Sequence, residues 1–239
     1  MTVPEQPPTG HRTFHEKLDL LKHRLVEMSQ RAEELLDLSV EGFLKRDAGK
    51  AQAVLDADDD VDALEVEIEQ LAISLLALQQ PMARDLRFII SAIKITGDLE
   101  RVGDHAVNIA QSALRMVDLR AEVGPPPEIE EMAHRARKML SDALDAVVRV
   151  DGALGREVCR RDDLVDALHE SVFRIMLTYM MEDQKTISPA LELLLVSRNL
   201  ERVADLATNV AEDAVYLAEG KTIKHHLEAR AEAAPTLHV

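Results

Sequence analysis

The stretch Leu99-Glu100-Arg101-Val102-Gly103-Asp104-His105-Ala106-Val107-Asn108 returns 101 residues later as Leu200-Glu201-Arg202-Val203-Ala204-Asp205-Leu206-Ala207-Thr208-Asn209. A second string, Asp58-Asp59-Asp60-Val61-Asp62-Ala63-Leu64, is answered by Asp162-Asp163-Leu164-Val165-Asp166-Ala167-Leu168. Two separated motifs duplicated in the same order make the chain a tandem repeat, and what repeats is carboxylate at helical spacing.

Outward from these motifs the pattern is helical throughout. Phe14, Leu18, Leu21, Leu25, Met28, Leu35 and Leu38 recur at steps of three and four, and Gly42 with Arg46-Asp47-Ala48-Gly49 reads as the end of this first helix. A second helix keeps a bundle-like seam through Val54, Ala57, Val61, Leu64, Ile68, Leu71, Ile73 or Leu75, and Leu78. Gln80-Pro81 closes it, because the residue before proline avoids helical geometry. The third helix spans about 83–119, the fourth about 128–150 with a break at Gly152 to Gly155, and the fifth about 156–182. The sixth carries Pro189 in its first turn and ends at Gly220. The fold class is therefore all-α: two tandem three-helix bundles, six long helices in all. Residues 1–12 read as a flexible N-terminal tail, 13–122 as the first bundle, 123–127 as a Pro-rich linker, 128–220 as the second bundle and 221–239 as a C-terminal tail.

Composition agrees with helices and narrows the ligands. Of 239 residues only 9 are Gly and 9 Pro, aromatics make up 3%, and there is no Trp, which is poor material for strands and tight turns. Lys and Arg number 28 against 44 Asp and Glu, a formal net charge of −16. That field repels nucleic acid and anionic lipid and attracts cations and basic partner surfaces. Cys159 is alone, so no internal disulfide forms, which suits a reducing compartment. With no basic, apolar leader at Met1 to Pro8 and no long uncharged span, the expected location is the cytoplasm.

Residues four apart stack on one helix face. Asp58 and Asp62 therefore project together, as do Glu100, Asp104 and Asn108; the second half repeats this with Asp162 and Asp166, and with Glu201, Asp205 and Asn209. Like charges at that spacing repel by a few tenths of a kcal/mol. Counting back from the turns near residues 82 and 185 puts each acid pair at nearly the level of its partner on the adjacent antiparallel helix. Four carboxylates at one level, without Cys or paired His, make a hard-oxygen donor set suited to Mg²⁺, Mn²⁺, Ca²⁺ or iron, and less securely to zinc. The bland alternative is a polar seam in which Arg87, Arg101, Arg198 and Arg202 neutralise the acids. On the third helix the solvated stripe is expected at Arg87, Ser91, Lys94, Asp98, Arg101 and His105.

The histidines point elsewhere. Glu131-Met132-Ala133-His134 matches one Glu-x-x-His of a di-iron bundle, but such sites need two. His105 meets Leu206 in the second copy, which argues against a ligand role, and His225-His226 reads as a surface pair. No nucleophile elbow, phosphate loop or zinc-protease motif occurs.

These residues carry a family resemblance. Pro81-Met82-Ala83-Arg84-Asp85-Leu86-Arg87, the string Leu99 to Ala110, and its second copy through Asn209-Val210-Ala211-Glu212 together resemble the PhoU family of phosphate-uptake regulators, over roughly residues 14–220. The resemblance implies two three-helix bundles side by side with pseudo-twofold symmetry. It also implies multinuclear iron or zinc, as held by some members, on the E(D)xxxD motifs matched by Asp58, Asp62, Glu100, Asp104, Asp162, Asp166, Glu201 and Asp205; Mn and Mg also suit these donors. By the same resemblance the protein is not an enzyme. It represses the phosphate-starvation response by coupling the cytoplasmic ATPase of the phosphate ABC transporter to the phosphate-sensing histidine kinase. Membrane contact is then only through partners, no nucleic acid is bound, and a homodimer is the expected assembly. Arg84, Asp85 and Arg87 form a candidate partner surface, with a structural salt-bridge role as its alternative. The second copy departs from the pattern at Ala204 and Leu206, which predicts unequal metal sites. Two other functions stay open: a carboxylate-bridged metal enzyme, and an accessory regulator of a different phosphate transporter.

Overall fold

A computed structural model describes residues 9–78, 81–119 and 123–223. The helices are α1 (Thr9–Lys45), α2 (Ala48–Asp56), α3 (Asp58–Leu78), α4 (Ala83–Asp118), α5 (Pro127–Arg149), α6 (Gly152–Cys159), α7 (Asp162–Glu182) and α8 (Ile187–Glu219). A 3-10 turn, Gln184–Thr186, joins the last two. Six are long and two, α2 and α6, are short; no strand occurs among the described residues. The His225-His226 pair lies outside them.

The apolar spacing of α1 translates directly into burial: Leu18, Leu21, Leu25, Met28 and Leu35 are all 4% exposed or less. Each such side chain contributes roughly 1.5–3 kcal/mol on leaving water. On α3 the choice between Ile73 and Leu75 falls to Leu75, which is fully buried, while Ile73 is 60% exposed. Helix α1 starts at Thr9, inside the stretch expected to be a tail. Helix α8 ends as expected, with Gly220 left-handed at φ 70°.

Three expectations are corrected. Gly42 does not end the first helix; it lies within α1, where a Cβ would come 3.1 Å from the backbone nitrogen of Ala51, so its bareness lets α2 fold back against α1. The second helix is not continuous through Ala57. It is two helices meeting there, and Asp58-Asp59-Asp60 open α3 as its first turn, where the helix dipole favours negative charge. Finally, Gly152 to Gly155 is not itself a break but part of helix α6; the chain turns just before it, at Val150-Asp151, and again at Arg160-Arg161.

The two halves share a local device that explains these corners. Arg46 and Val150 both adopt positive φ, 52° and 54°, and end α1 and α5. The next residue is an aspartate in each case. Asp47 accepts from the backbone N–H groups of Gly49 and Lys50, and Asp151 from those of Ala153 and Leu154. These are N-caps satisfying donors that a new helix leaves open. The repeat is thus structural as well as acidic.

Helices α4 and α8 form the centre of the molecule, with α1 packed on α4 and α5 on α8. They run antiparallel: Arg115 pairs with Glu192, His105 with Asn199, and Lys94 with Asp213. Both central helices bury small residues, among them Ala106, Ala110 and Ala113 on α4 and Ala204, Ala207 and Ala211 on α8. The expected wet stripe on α4 is corrected in part: Lys94 and Arg101 are exposed, but two of its members are not. Ser91 is fully buried and Asp98 only 7% exposed, because that face meets the second half of the chain.

Candidate metal centre

Each acid cluster is built from a helix start and the middle of a long central helix. In the first half, Asp58 and Asp62 come from the opening turns of α3, and Glu100 and Asp104 from α4. In the second, Asp162 and Asp166 open α7, and Glu201 and Asp205 lie on α8. Their mutual electrostatics show that each set is brought together. Burial raises the Asp58 carboxyl above its usual range, and the charges of Asp62, Asp104 and Asp59 push it further. Burial likewise raises Glu100, followed by Asp104, Glu65 and Asp62. The strongest case is Asp162, pushed up to about 6 by burial and then by Asp205, Asp166, Asp163 and Glu201. Burial and Asp205 also lead the rise at Asp166. Carboxylates on two neighbouring helices thus repel one another, twice.

The neutralising-arginine alternative holds at one point only. Arg202 contacts Asp205 at 2.7 Å and Glu201 at 3.7 Å. Arg101 turns to Asp98 instead, at 3.4 Å. Among the described residues, the other six predicted ligands make no ion pair. One oxygen of Asp162, Oδ1, is buried without any hydrogen-bond partner. A buried anionic oxygen left bare is costly and calls for a cation or donor. The donor set therefore fits a hard metal ion in its chemistry. Among the described residues no three His, Cys, Asp or Glu groups close to ligand distance around one point, so a cation would have to draw these side chains inward.

Two further residues belong to the clusters and were not singled out from the sequence. Glu65 titrates high through burial and then Glu69, Asp62 and Asp104. Its counterpart in the second repeat is His169, which neighbours Asp166. His169 Nδ1 lies 3.1 Å from Ser197 Oγ, and that hydroxyl donates its one proton to the carbonyl of Leu194. The Nδ1–H is then the donor, and in the neutral ring the lone pair is on Nε2, the atom a metal-binding imidazole would use. The signal lay in the alignment of the two Asp-Ala-Leu strings, each followed by one of these residues. Cys159, near Asp162, is pushed up to about 11 by burial and Glu212, and stays a thiol at neutral pH.

The departures at Ala204 and Leu206 have a packing explanation. Both are buried in the core, at 0% and 6% exposure. At Gly103 an added methyl would meet Val61 at an ordinary 3.6 Å, so glycine there is not sterically required. The inequality of the two clusters lies instead in the deeper burial of Asp162 and in His169 replacing a carboxylate. Asn108 is exposed and Asn209 half-buried.

Arg84 and Asp85 sit away from the acids. They line a cleft of about 430 Å³ with Lys22, Phe88 and Val147. Arg87 packs against Gly220, and its Nε is buried without a hydrogen bond. Among the described residues none of the three forms a salt bridge, so the structural alternative proposed for them is not the arrangement found.

Comparison with known proteins places this geometry. A family model described as "PhoU domain" matches residues 25–113 and again 129–214. The chain is 37% identical over 213 residues to the phosphate-specific transport system accessory protein PhoU homolog of Clostridium acetobutylicum, covering 89% of this chain and 97% of that one. It is 35% identical over 216 residues to the homolog of Pseudomonas aeruginosa, with 89% and 88% covered. Among solved structures, PhoU from Pseudomonas aeruginosa superposes with a TM-score of 0.85 at 35% identity, over 87% of this chain and 100% of that one. The phosphate transport system regulatory protein PhoU from Streptococcus pneumoniae gives 0.81 at 26%, over 88% and 99%. With both repeats matched and the fold shared along nearly the whole of these relatives, the chain belongs to the PhoU family.

Proposed function

We propose that this protein is an accessory regulator of a phosphate-specific transport system, and that it restrains phosphate-starvation genes when phosphate is plentiful. The observation that carries this reading is the match of both repeats to relatives described as accessory proteins of that system. It acts as an adaptor, linking the transporter's ATPase to a sensor histidine kinase at the cytoplasmic face. Metal at Asp58, Asp62, Glu100 and Asp104, and at Asp162, Asp166, Glu201 and Asp205, holds α3 to α4 and α7 to α8. Among the described residues no helix is long and apolar enough to cross a membrane; in this reading contact with the bilayer runs through partners. Deleting the gene is expected to switch on alkaline phosphatase in phosphate-rich medium, and the intact gene supplied in trans to silence it. Unchanged phosphatase expression in the deletion strain would sink the regulatory reading.

A second reading, a carboxylate-bridged metal enzyme, draws on Asp162, whose Oδ1 is buried without a hydrogen-bond partner and faces the other acids of its cluster. Phosphatase and oxygen-consumption assays on metal-loaded protein separate the two. Turnover that disappears in Asp162→Asn would favour the enzyme.

A further inference from the structure

The antiparallel pairs His105–Asn199 and Ser91–Asp213 centre the crossing of α4 and α8 near Val102 and Val203. Those two valines are also equivalent residues of the repeat. The crossing therefore creates two equivalent grooves, one on either side, and their linings can be compared position by position. We propose that one of them, where Arg198, Arg202 and Arg115 converge with His105, binds a small oxyanion of the phosphate class.

This groove encloses about 360 Å³ and is lined by no carboxylate. Its uncharged members are three hydrogen-bonding groups, Asn108, Ser112 and Asn199, and one apolar side chain, Leu195. Its architecture is partly pre-set. Arg115 is held by both oxygens of Glu192, at 2.8 and 3.0 Å, and by Ser112 Oγ at 3.0 Å. Asn199 donates to the carbonyl of Leu195 at 2.7 Å, which turns its oxygen to His105 Nδ1 at 2.8 Å. Arg202 leans on Asp205. Arg198 is exposed, and among the described residues it has no acid within ion-pair distance. In a chain of net charge −16, Arg198 leaves this groove with one guanidinium unmatched, since Arg115 and Arg202 are paired with Glu192 and Asp205. A guanidinium fork matches two oxygens of a tetrahedral anion.

The opposite groove shows that the fold does not demand this. There, Asp213 stands where Ser112 does, Asp98 where Asn199 does, Gly97 in place of Arg198 and Leu206 in place of His105. Asp213 and Asp98 are 1% and 7% exposed, and Lys94 lies 3.4 Å from Asp213. One copy of the same frame places the buried acids Asp98 and Asp213 in its lining; in the other these two positions are Asn199 and Ser112, and its acids, Glu192 and Asp205, stand behind the arginines they hold.

The test is calorimetric titration of the full chain, at constant ionic strength and with a chelator present, with inorganic phosphate and separately with adenosine monophosphate. Saturable binding with a Kd of about 1 mM or tighter is expected for at least one of them. Binding of inorganic phosphate identifies the free anion; binding of the nucleotide alone identifies a phosphoryl group on a larger molecule. Arg198→Gln should weaken binding about tenfold or more while leaving the unfolding temperature unchanged. Arg31→Gln, an exposed charge-matched control on α1, should bind as the wild type does. Absence of saturable binding by both anions in the presence of the chelator, or equal binding by Arg198→Gln, would each overturn the proposal.

Discussion

Gly155→Val is expected to destabilise the protein by about 3 kcal/mol, which corresponds to roughly 6–12 °C in unfolding temperature for a chain of this size. A Cβ at Gly155 would lie 2.7 Å from the carbonyl oxygen of Ala211 and 3.0 Å from Val215 Cγ2. The first of these is backbone in the middle of α8 and cannot swing aside. Alanine already meets it, so Gly155→Ala should lose about 1–2 kcal/mol, even though alanine is the better helix former by about 1 kcal/mol. Gly103→Ala should do the opposite. Its new methyl finds Val61 at 3.6 Å, so the propensity gain of about 0.5–1 kcal/mol survives. Thermal or denaturant unfolding of the three variants checks this, and a stabilised Gly155→Ala would show that α6 does not press on α8 as described.

Asp162→Asn is expected to make the metal-free protein more stable and to remove its ability to hold metal at the second cluster. Folding raises the Asp162 carboxyl from 3.8 to about 6, through burial first and then the neighbouring acids. The folded state therefore binds more protons than the unfolded state between those values, and its stability falls as pH rises through that window. Each pKa unit corresponds to about 1.4 kcal/mol. Solvent screening at this half-buried site reduces the total to about 1–2 kcal/mol. The asparagine variant should gain that amount above pH 6, and the gain should disappear as pH falls toward 3.8. A bound cation reverses the balance for the wild type: at a hundred times its Kd it adds about 2.7 kcal/mol. Unfolding curves at pH 7 and pH 4, with and without added metal, measure both effects. A wild type more stable than Asp162→Asn in chelator at pH 7 would contradict the assigned strain.

Much of the architecture was legible because helices advertise themselves by period. The buried faces of α1 and α3 and the left-handed glycine at 220 all follow from spacing and cap chemistry. Glycine misled where it had two meanings. At Gly42 and Gly155 its missing side chain serves close approach, which a linear reading cannot tell from helix breaking. The polar stripe on α4 misled for a related reason. Ser91 and Lys94 look solvated in isolation, but their partner Asp213 lies more than a hundred residues away on α8. Register on two antiparallel helices was enough to level the acid pairs. It was not enough to show that Asp58 and Asp162 begin helices, or that Glu65 and His169 join them.

The claim that the doubled clusters are metal sites is most directly tested by elemental analysis. Protein purified without a histidine tag, loaded anaerobically with iron, manganese or zinc and then desalted, should retain bound metal. That metal should fall when Asp162 and Asp205 are both replaced by asparagine, and fall further when Asp58 and Asp104 are replaced as well. Retention of no metal after all three loadings, or the same metal content in the substituted proteins, would contradict it.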